Sequence, residues 1–330
     1  MTVPLDVPGA TEASPEAVLE GAPGPIAGRS LGQIAWMRLK RDRVAITGGV
    51  VILFLIVVAI FAPLIVDLLG HPPNEFHQDL TDADLQTPTG RFGGVSWDFL
   101  FGVEPQNGRD LFSRIVYGSR ISLLIAFLAT LLSVVIGVTL GVVAGYFGGW
   151  VDSIIGRLMD IFLAFPLVVF AIALAGVIPS TAWGLSGDAL KVSVLVFIIG
   201  FFSWPYIGRI VRGQTLSLRE REFVDAARSL GAGSVYILRK ELLPNLVAPI
   251  LVYSTLLIPA NILFEAALAY LGVGVQPPTA TWGGMLSDAT GWYQTDPWFL
   301  LPPGLAIFVT VLAFNLFGDG LRDALDPRTR

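Results

Sequence analysis

Residues 121–147 read ISLLIAFLATLLSVVIGVTLGVVAGYF, 27 in succession without a single charge. About 20 mostly apolar residues suffice for a helix to cross the hydrocarbon of a bilayer, so this stretch is long enough to span. Outward from it, residues 44–66 form another uncharged run, of 23 residues. Shorter runs cover 161–179 and 192–208. The stretch 242–264 follows, interrupted by Glu265 before 266–275, and 298–318 is the last. About six transmembrane helices are expected, and the fold class is all-α, polytopic and membrane-embedded. Composition agrees: 54% of the 330 residues are hydrophobic and only 14% charged, with a mean hydropathy of +0.70. A soluble domain carries nearer a quarter charged residues.

The loops between the runs set the expected orientation, because Lys and Arg concentrate on the cytoplasmic side. Segments 1–43, 148–160, 209–241 and 319–330 hold 16 of the 21 basic residues; 67–116, 180–191 and 265–297 hold four, and Arg120 sits at a helix start. Both termini and the 209–241 segment are therefore expected in the cytoplasm. Acids dominate the other side, among them Asp67, Glu75, Asp79, Asp82, Asp84, Asp98, Glu104 and Asp110.

The chain divides accordingly. Residues 1–29 are expected as a disordered cytoplasmic tail; 1–28 have no Lys or Arg and no apolar core of a secretory signal. Residues 30–43 join Trp36, Met37 and Leu39 to Arg38, Lys40, Arg41 and Arg43, which suits a helix lying on the anionic inner leaflet or a plain basic linker. The first span, 44–66, leads to an extracytoplasmic loop, 67–116. A five-helix core over 117–321 contains the cytoplasmic loop 219–244, and 322–330 form a C-terminal tail. Gly137, Gly141 and Gly145 recur at spacing four. Such a stripe admits a close helix, from this chain or from a partner subunit.

The 209–241 segment carries the most information. Around Asp225-Ala226-Ala227 the sequence favours a helix with an acid near its positive N-terminal dipole. Gly231 should end it, since glycine takes positive φ without strain. Residues 235–243 read as a second short helix that Pro244 terminates or kinks. The product is a compact helix–turn–helix knob, whereas a loop that fixes topology alone would not need Phe223, Val224, Leu230, Val235, Tyr236 and Ile237.

Asp225-Ala226-Ala227, then Gly231, then Leu243-Pro244 resembles the EAA loop of ABC-importer permeases. Asp225 stands where that family usually has Glu, and Glu241 where it often has His. Gly108-Arg109-Asp110, Ser113-Arg114 and 117–123 resemble the approach to the second span in dipeptide/oligopeptide permeases. The stretch 265–278 with Trp282-Gly283 resembles the end of their fifth span. The basic segment before the first run suits the "C" type of that pair. The resemblance covers roughly 30–330 but departs at Phe101–Asn107, and 67–107 matches poorly.

The resemblance implies a type I ABC importer (MetI-like) permease fold and alternating access without bond chemistry in this chain. Implied partners are a second homologous permease subunit, two cytoplasmic ABC ATPase subunits or one fused ATPase, an extracytoplasmic substrate-binding protein and the lipid bilayer; no nucleic acid is involved. ATP and Mg would be bound by the ATPase subunits, and no cofactor by this chain. The implied coupling residues are Glu222, Val224, Asp225, Ala226, Ala227, Arg228, Leu230, Gly231, Leu243 and Pro244. The implied cargo is a di- or oligopeptide, with nickel chelates, glutathione or oligosaccharides as alternatives.

Other residues weigh less. Glu265 and Asn261 are candidate pathway or gate residues, although Glu265 also suits a hydrogen bond to the glycine-rich turn that follows it. Asp160, Asn315 and Asp319 suit structural polar roles at helix ends and seams. His71 and His77, near Glu75 and Asp79, fall short of the ligand count of a zinc site. Trp292, Tyr293 and Trp298 fit an aromatic belt at the outer interface. The absence of cysteine excludes disulfides and thiol nucleophiles. No Gly-x-x-x-x-Gly-Lys-Ser/Thr loop is present to cradle ATP. A self-sufficient, ion-coupled secondary transporter would need intramembrane acids or repeats, and this sequence offers few of the former and none of the latter by eye.

Overall fold

A computed structural model describes residues 31–177 and 181–325. The expected tail 1–29 and the last residues of 322–330 lie outside them. Helix α1 (Leu31–Leu39) precedes α2 (Arg43–Ile60) and α3 (Ala62–Leu69). Asp42 separates α1 from α2 because its side chain accepts from the backbone N–H groups of Val44 and Ala45, at 2.9 and 3.1 Å. That satisfies donors a helix start leaves unpaired. The first apolar run therefore holds two helices that meet at Phe61, with Pro63 in the first turn of α3.

Residues 70–110 then form an irregular lobe before α4 (Leu111–Phe147), a helix of 37 residues. Helix α4 begins ten residues before the uncharged run because Asp110 caps it, accepting from Phe112 N–H at 3.1 Å. Beyond Gly148 come α5 (Gly149–Ala164) and α6 (Leu167–Val177). A two-stranded turn, β1 (Thr181–Ala182) and β2 (Leu185–Ser186), leads to α7 (Gly187–Leu218). Next come α8 (Glu222–Ser229) and α9 (Ser234–Tyr236), then a π-helical turn (Ile237–Leu242). Last are α10 (Leu243–Tyr270), α11 (Trp282–Ala289), a 3-10 turn (Pro297–Leu300) and α12 (Leu301–Leu325).

Among the described residues, five helical stretches are long and apolar enough to cross a membrane: Arg43–Ile60, Leu111–Phe147, Gly187–Leu218, Ser234–Tyr270 and Pro297–Leu325. The sixth expected span is bent. Gly149–Ala164 and Leu167–Leu174 meet at 76°, and most of the expected loop 148–160 is helical. Pro166 explains the break: the residue before a proline is pushed out of the α region, and Phe165 lies at φ −78°, ψ 129°. The acids of α5 face α7, where Arg212 grips Asp152, with Nη2 to Oδ2 at 2.7 Å, and Arg209 pairs with Asp160.

The α4–α7 pair is the centre of the bundle, and the glycine stripe is what lets it close. A Cβ on Gly137 would lie 2.7 Å from Trp204 O, on Gly141 2.6 Å from Gly208 O, and on Gly145 2.9 Å from Arg212 O. The stripe serves packing within this chain. Higher on the same pair, Ser133 Oγ donates to Gly200 O at 2.8 Å. Helix α12 packs on α2, where a Cβ on Gly48 would meet Ala313 O at 2.7 Å. At one end of the bundle Leu39 of α1 and Ala45 of α2 pack with Ala324 of α12.

Candidate coupling site

The knob between α7 and α10 is built on three buried side chains. Val224 of α8 is fully buried against Ile237 and Leu242 of the π-helical turn, and Tyr146, Leu218, Ala227 and Leu238 close the cluster. This little core fixes α8 to the ends of α4 and α7. Arg219 reinforces the joint by donating from Nη1 to Gly145 O at 3.0 Å, at the C-terminal end of α4. Arg228 lies over the Tyr146 ring at 5.7 Å, a cation–π contact.

Gly231 ends α8 at φ +82°. Its N–H donates to Arg228 O at 2.9 Å, and Ala232 N–H reaches back to Ala227 O at 3.0 Å. This is the paired pattern of a Schellman turn, whose C′ position favours glycine. The helix expected around Asp225-Ala226-Ala227 starts at Glu222, and its acids Glu222 and Asp225 sit in the first turn. Arg228 Nη1 lies 3.3 Å from Asp225 Oδ1.

The outer surface is small and apolar at its tip. Glu222, Asp225, Ala226, Arg228 and Gly231 are exposed, and Leu230 is 89% exposed. Phe223, Ala226, Leu230, Gly231 and Tyr236 rim a groove of about 520 Å³. Leu243 and Pro244 lie at the start of α10, away from this rim. Pro244 neither stops nor separates the second helix, because the π-helical turn absorbs it: Leu243 N–H donates to Leu238 O, five residues back. Ser234–Tyr270 is consequently one continuous helical run.

Asn261 and Glu265 are not at the knob. They lie one turn apart on α10, 3% and 1% exposed, and face α4. Asn261 Nδ2 donates to Thr130 Oγ1 at 2.8 Å. Ser122 Oγ donates to Glu265 Oε2 at 3.4 Å and accepts from Trp282 N–H at 3.1 Å. Glu265 therefore meets α4 and the start of α11, where a Cβ on Gly283 would lie 3.0 Å from Oε2. The expected partner, the turn at Gly272 and Gly274, is not the one used.

At the opposite end of the bundle sits a cluster that the sequence reading missed. Glu104 is 2% exposed and lies between two arginines, with Arg109 Nε at 2.7 Å from Oε2 and Arg114 Nε on Oε1. Arg114, 1% exposed, also donates from Nη1 to Pro278 O at 3.0 Å, Asn74 Oδ1 at 3.2 Å and Pro73 O at 3.3 Å. One side chain thus joins the 70–110 lobe, α4 and the segment before α11. Burial pushes the Glu104 carboxyl above its ordinary value, against the pull of Arg114 and Arg109. Asp110 supports the joint by accepting from Ser113 Oγ at 2.6 Å and His71 N–H at 3.1 Å. His71 stacks on Phe99 at 4.3 Å, with His77 edge-on to both. Among the described residues no three His, Cys, Asp or Glu side chains are arranged to hold a metal.

Residues 137–330 match the family described as "Binding-protein-dependent transport system inner membrane component", and residues 30–88 match "N-terminal TM domain of oligopeptide transport permease C". The chain is 40% identical over 296 residues to the dipeptide transport system permease protein DppC of Alkalihalophilus pseudofirmus, covering 90% of each. It is 41% identical over 295 residues to the glutathione transport system permease protein GsiD of Shigella flexneri, covering 89% of this chain and 90% of that one. Among solved structures, a chain of the MetNI methionine ABC transporter in an inward-facing conformation aligns with TM-score 0.53 and 18% identity, over 66% of this chain and 98% of that one. That last likeness concerns the fold.

Proposed function

Since the chain belongs to the family of binding-protein-dependent transport system inner membrane components, and is a multi-pass permease, we propose that it is one of two homologous membrane subunits of an ATP-driven importer of di- or oligopeptides. The 222–231 knob is the contact through which cytoplasmic ATPase subunits act on the bundle. Both termini and the knob face the cytoplasm, as the basic residues suggest. An extracytoplasmic binding protein delivers the cargo to the other end, where the 70–110 lobe lies. ATP and Mg belong to the ATPase partners.

The observation that carries this reading is the knob itself: a Schellman-terminated helix with an exposed, small-residue tip, seated on its own buried core. A loop required only for topology needs no such core. Coupling demands that ATP favour one arrangement of the bundle over another, and a rigid contact is what converts motor closure into helix movement. Asp225 keeps the negative charge at the head of α8 on a shorter stem than Glu.

Replacing Gly231 by Trp, or Asp225 and Ala226 together by bulky residues, is expected to abolish uptake and substrate-stimulated ATP hydrolysis while membrane insertion persists. Wild-type uptake at wild-type expression would rule out the coupling role. Glutathione is the second cargo reading, because relatives named for glutathione and for dipeptide transport are about equally similar. The ligand retained by the co-purified binding protein distinguishes the two.

A further inference from the structure

Two ion pairs tie α5 to α7, and water reaches them differently. Asp152 and Arg212 are mostly covered, with side chains 20% and 35% exposed. Asp160 and Arg209 are 66% and 52% exposed. Arg157, three residues before Asp160, is also exposed and has no ion-pair partner among the described residues. These charges do not sit at helix ends. From Arg209 to the end of α7 at Leu218 the helix rises about 14 Å. From Gly149 to Asp160 it rises about 17 Å, within the first half of the bent span.

Gly156 lies on α5 one turn before Asp160, and Gly213 on α7 one turn after Arg209. A Cβ on either would meet nothing within 4 Å, unlike the glycines of the α4–α7 seam. Packing within this chain therefore gives neither helix a reason for its poorest former but proline. The space beside the exposed pair stays open, and three surroundings compete for it. Hydrocarbon is ruled out by the charges, which on spanning helices turn to the bundle interior or to a water-filled cavity. The exposed face of α2, with Val50, Leu53, Phe54 and Val57, carries no such charge. A packed protein seam would strip water from an ion pair whose attraction repays that loss poorly. Water leaves the charges solvated and the gap clear.

We propose that this face lines the aqueous path of the cargo, where Asp160 takes the ammonium of a free peptide and Arg157 and Arg209 take its carboxylate. The inference rests on the reading of the chain as a peptide importer. An ammonium donates to a carboxylate, and a guanidinium presents its fork of N–H groups to one. An ion pair standing in water gains little from its own attraction, so Asp160 and Arg209 exchange each other for the peptide termini at low cost. The surplus cation, Arg157, has no partner to give up.

The test uses the assembled transporter in inside-out membrane vesicles, and the lack of native cysteine in this chain leaves one thiol per variant. Gly156→Cys, Gly213→Cys and, on α2, Leu53→Cys are treated with membrane-impermeant methanethiosulfonates, one anionic and one cationic. Both glycine positions should react, and Leu53→Cys should not. Relative to a free thiol in solution, the anionic reagent should be favoured about threefold at about 50 mM salt, as one net positive charge about 7 Å away predicts. Asp160→Asn should widen that preference and Arg157→Gln should remove it. Trialanine added at the cytoplasmic face should protect Gly213→Cys from a neutral reagent at about tenfold lower concentration than trialanine blocked at both ends, the factor of one charge-assisted hydrogen bond. In Asp160→Asn the N-acetylated peptide should protect as well as the free one. Unreactive glycine positions, equal preference for the two reagents, or equal protection by the doubly blocked peptide would overturn the site. A transporter that takes up no peptide, with the labelling pattern intact, faults the importer reading and not the charged path.

Discussion

Arg114 touches more of the molecule than any residue its size would suggest, because its guanidinium closes a buried pair with Glu104 and still serves three acceptors. Arg114→Ala leaves Glu104 with Arg109 as its one cationic partner and removes the donor from three further acceptors, and breaking a buried ion pair costs up to about 3–5 kcal/mol. A thermal melt of the detergent-purified variant should show a drop in midpoint larger than Arg120→Ala produces, since Arg120 only lies over the Tyr117 ring at 5.8 Å. Gly231→Ala is milder: a Cβ at φ +82° costs about 1–2 kcal/mol. Nothing lies within 4 Å of that Cβ, so the variant should fold and lose part of its substrate-stimulated ATP hydrolysis. The two residues were not equally legible. Gly231 announces itself locally, because a helix that must stop beside a second one calls for a left-handed residue. The partners of Arg114 lie up to 164 positions away, and no local spacing reveals them.

At the scale of elements, the α4–α7 seam is the most demanding contact in the bundle. Gly141→Leu forces a side chain against Gly208 O and Val211, where even a Cβ has 2.6 and 3.1 Å. Overpacking of this kind costs about 1–3 kcal/mol, and a tenfold fall in detergent-stable yield relative to Gly156→Leu, with open space at its Cβ, is the expected readout. Val224→Asp should release the knob from its seat, since it loses about 1.5–3 kcal/mol of burial and adds an unpaired charge; faster proteolysis confined to 219–233 would report it. The glycine period was readable because steric access depends on the absence of a side chain alone. The bent span was harder to read. Asp152, Arg157 and Asp160 make α5 look like a loop, and only α7, with Arg209 and Arg212, supplies the opposite charges that let two of them lie along a helix.

For the whole molecule, the apolar runs were sufficient to give an all-helical membrane bundle, while the lobe at 70–110 was opaque because turns and long-range ion pairs have no period. The absence of cysteine makes orientation directly measurable. Thr87→Cys should react with a membrane-impermeant maleimide in intact cells, and Ala226→Cys only after permeabilisation; the reverse pattern would invert the proposed topology. One feature of the backbone bears on how far a small push can reach. Ser234–Tyr270 runs for 37 residues with no loop inside it, about 55 Å of helix that starts beside the knob and ends past the Asn261 and Glu265 contacts with α4. Pro249 and Pro259 inside it each remove one rung of the backbone ladder, so a push at the knob travels along a run with two weak points. A hinge of glycines inserted after Tyr236 would add a third, nearest the knob, and should let the motor turn over while the far door stays shut.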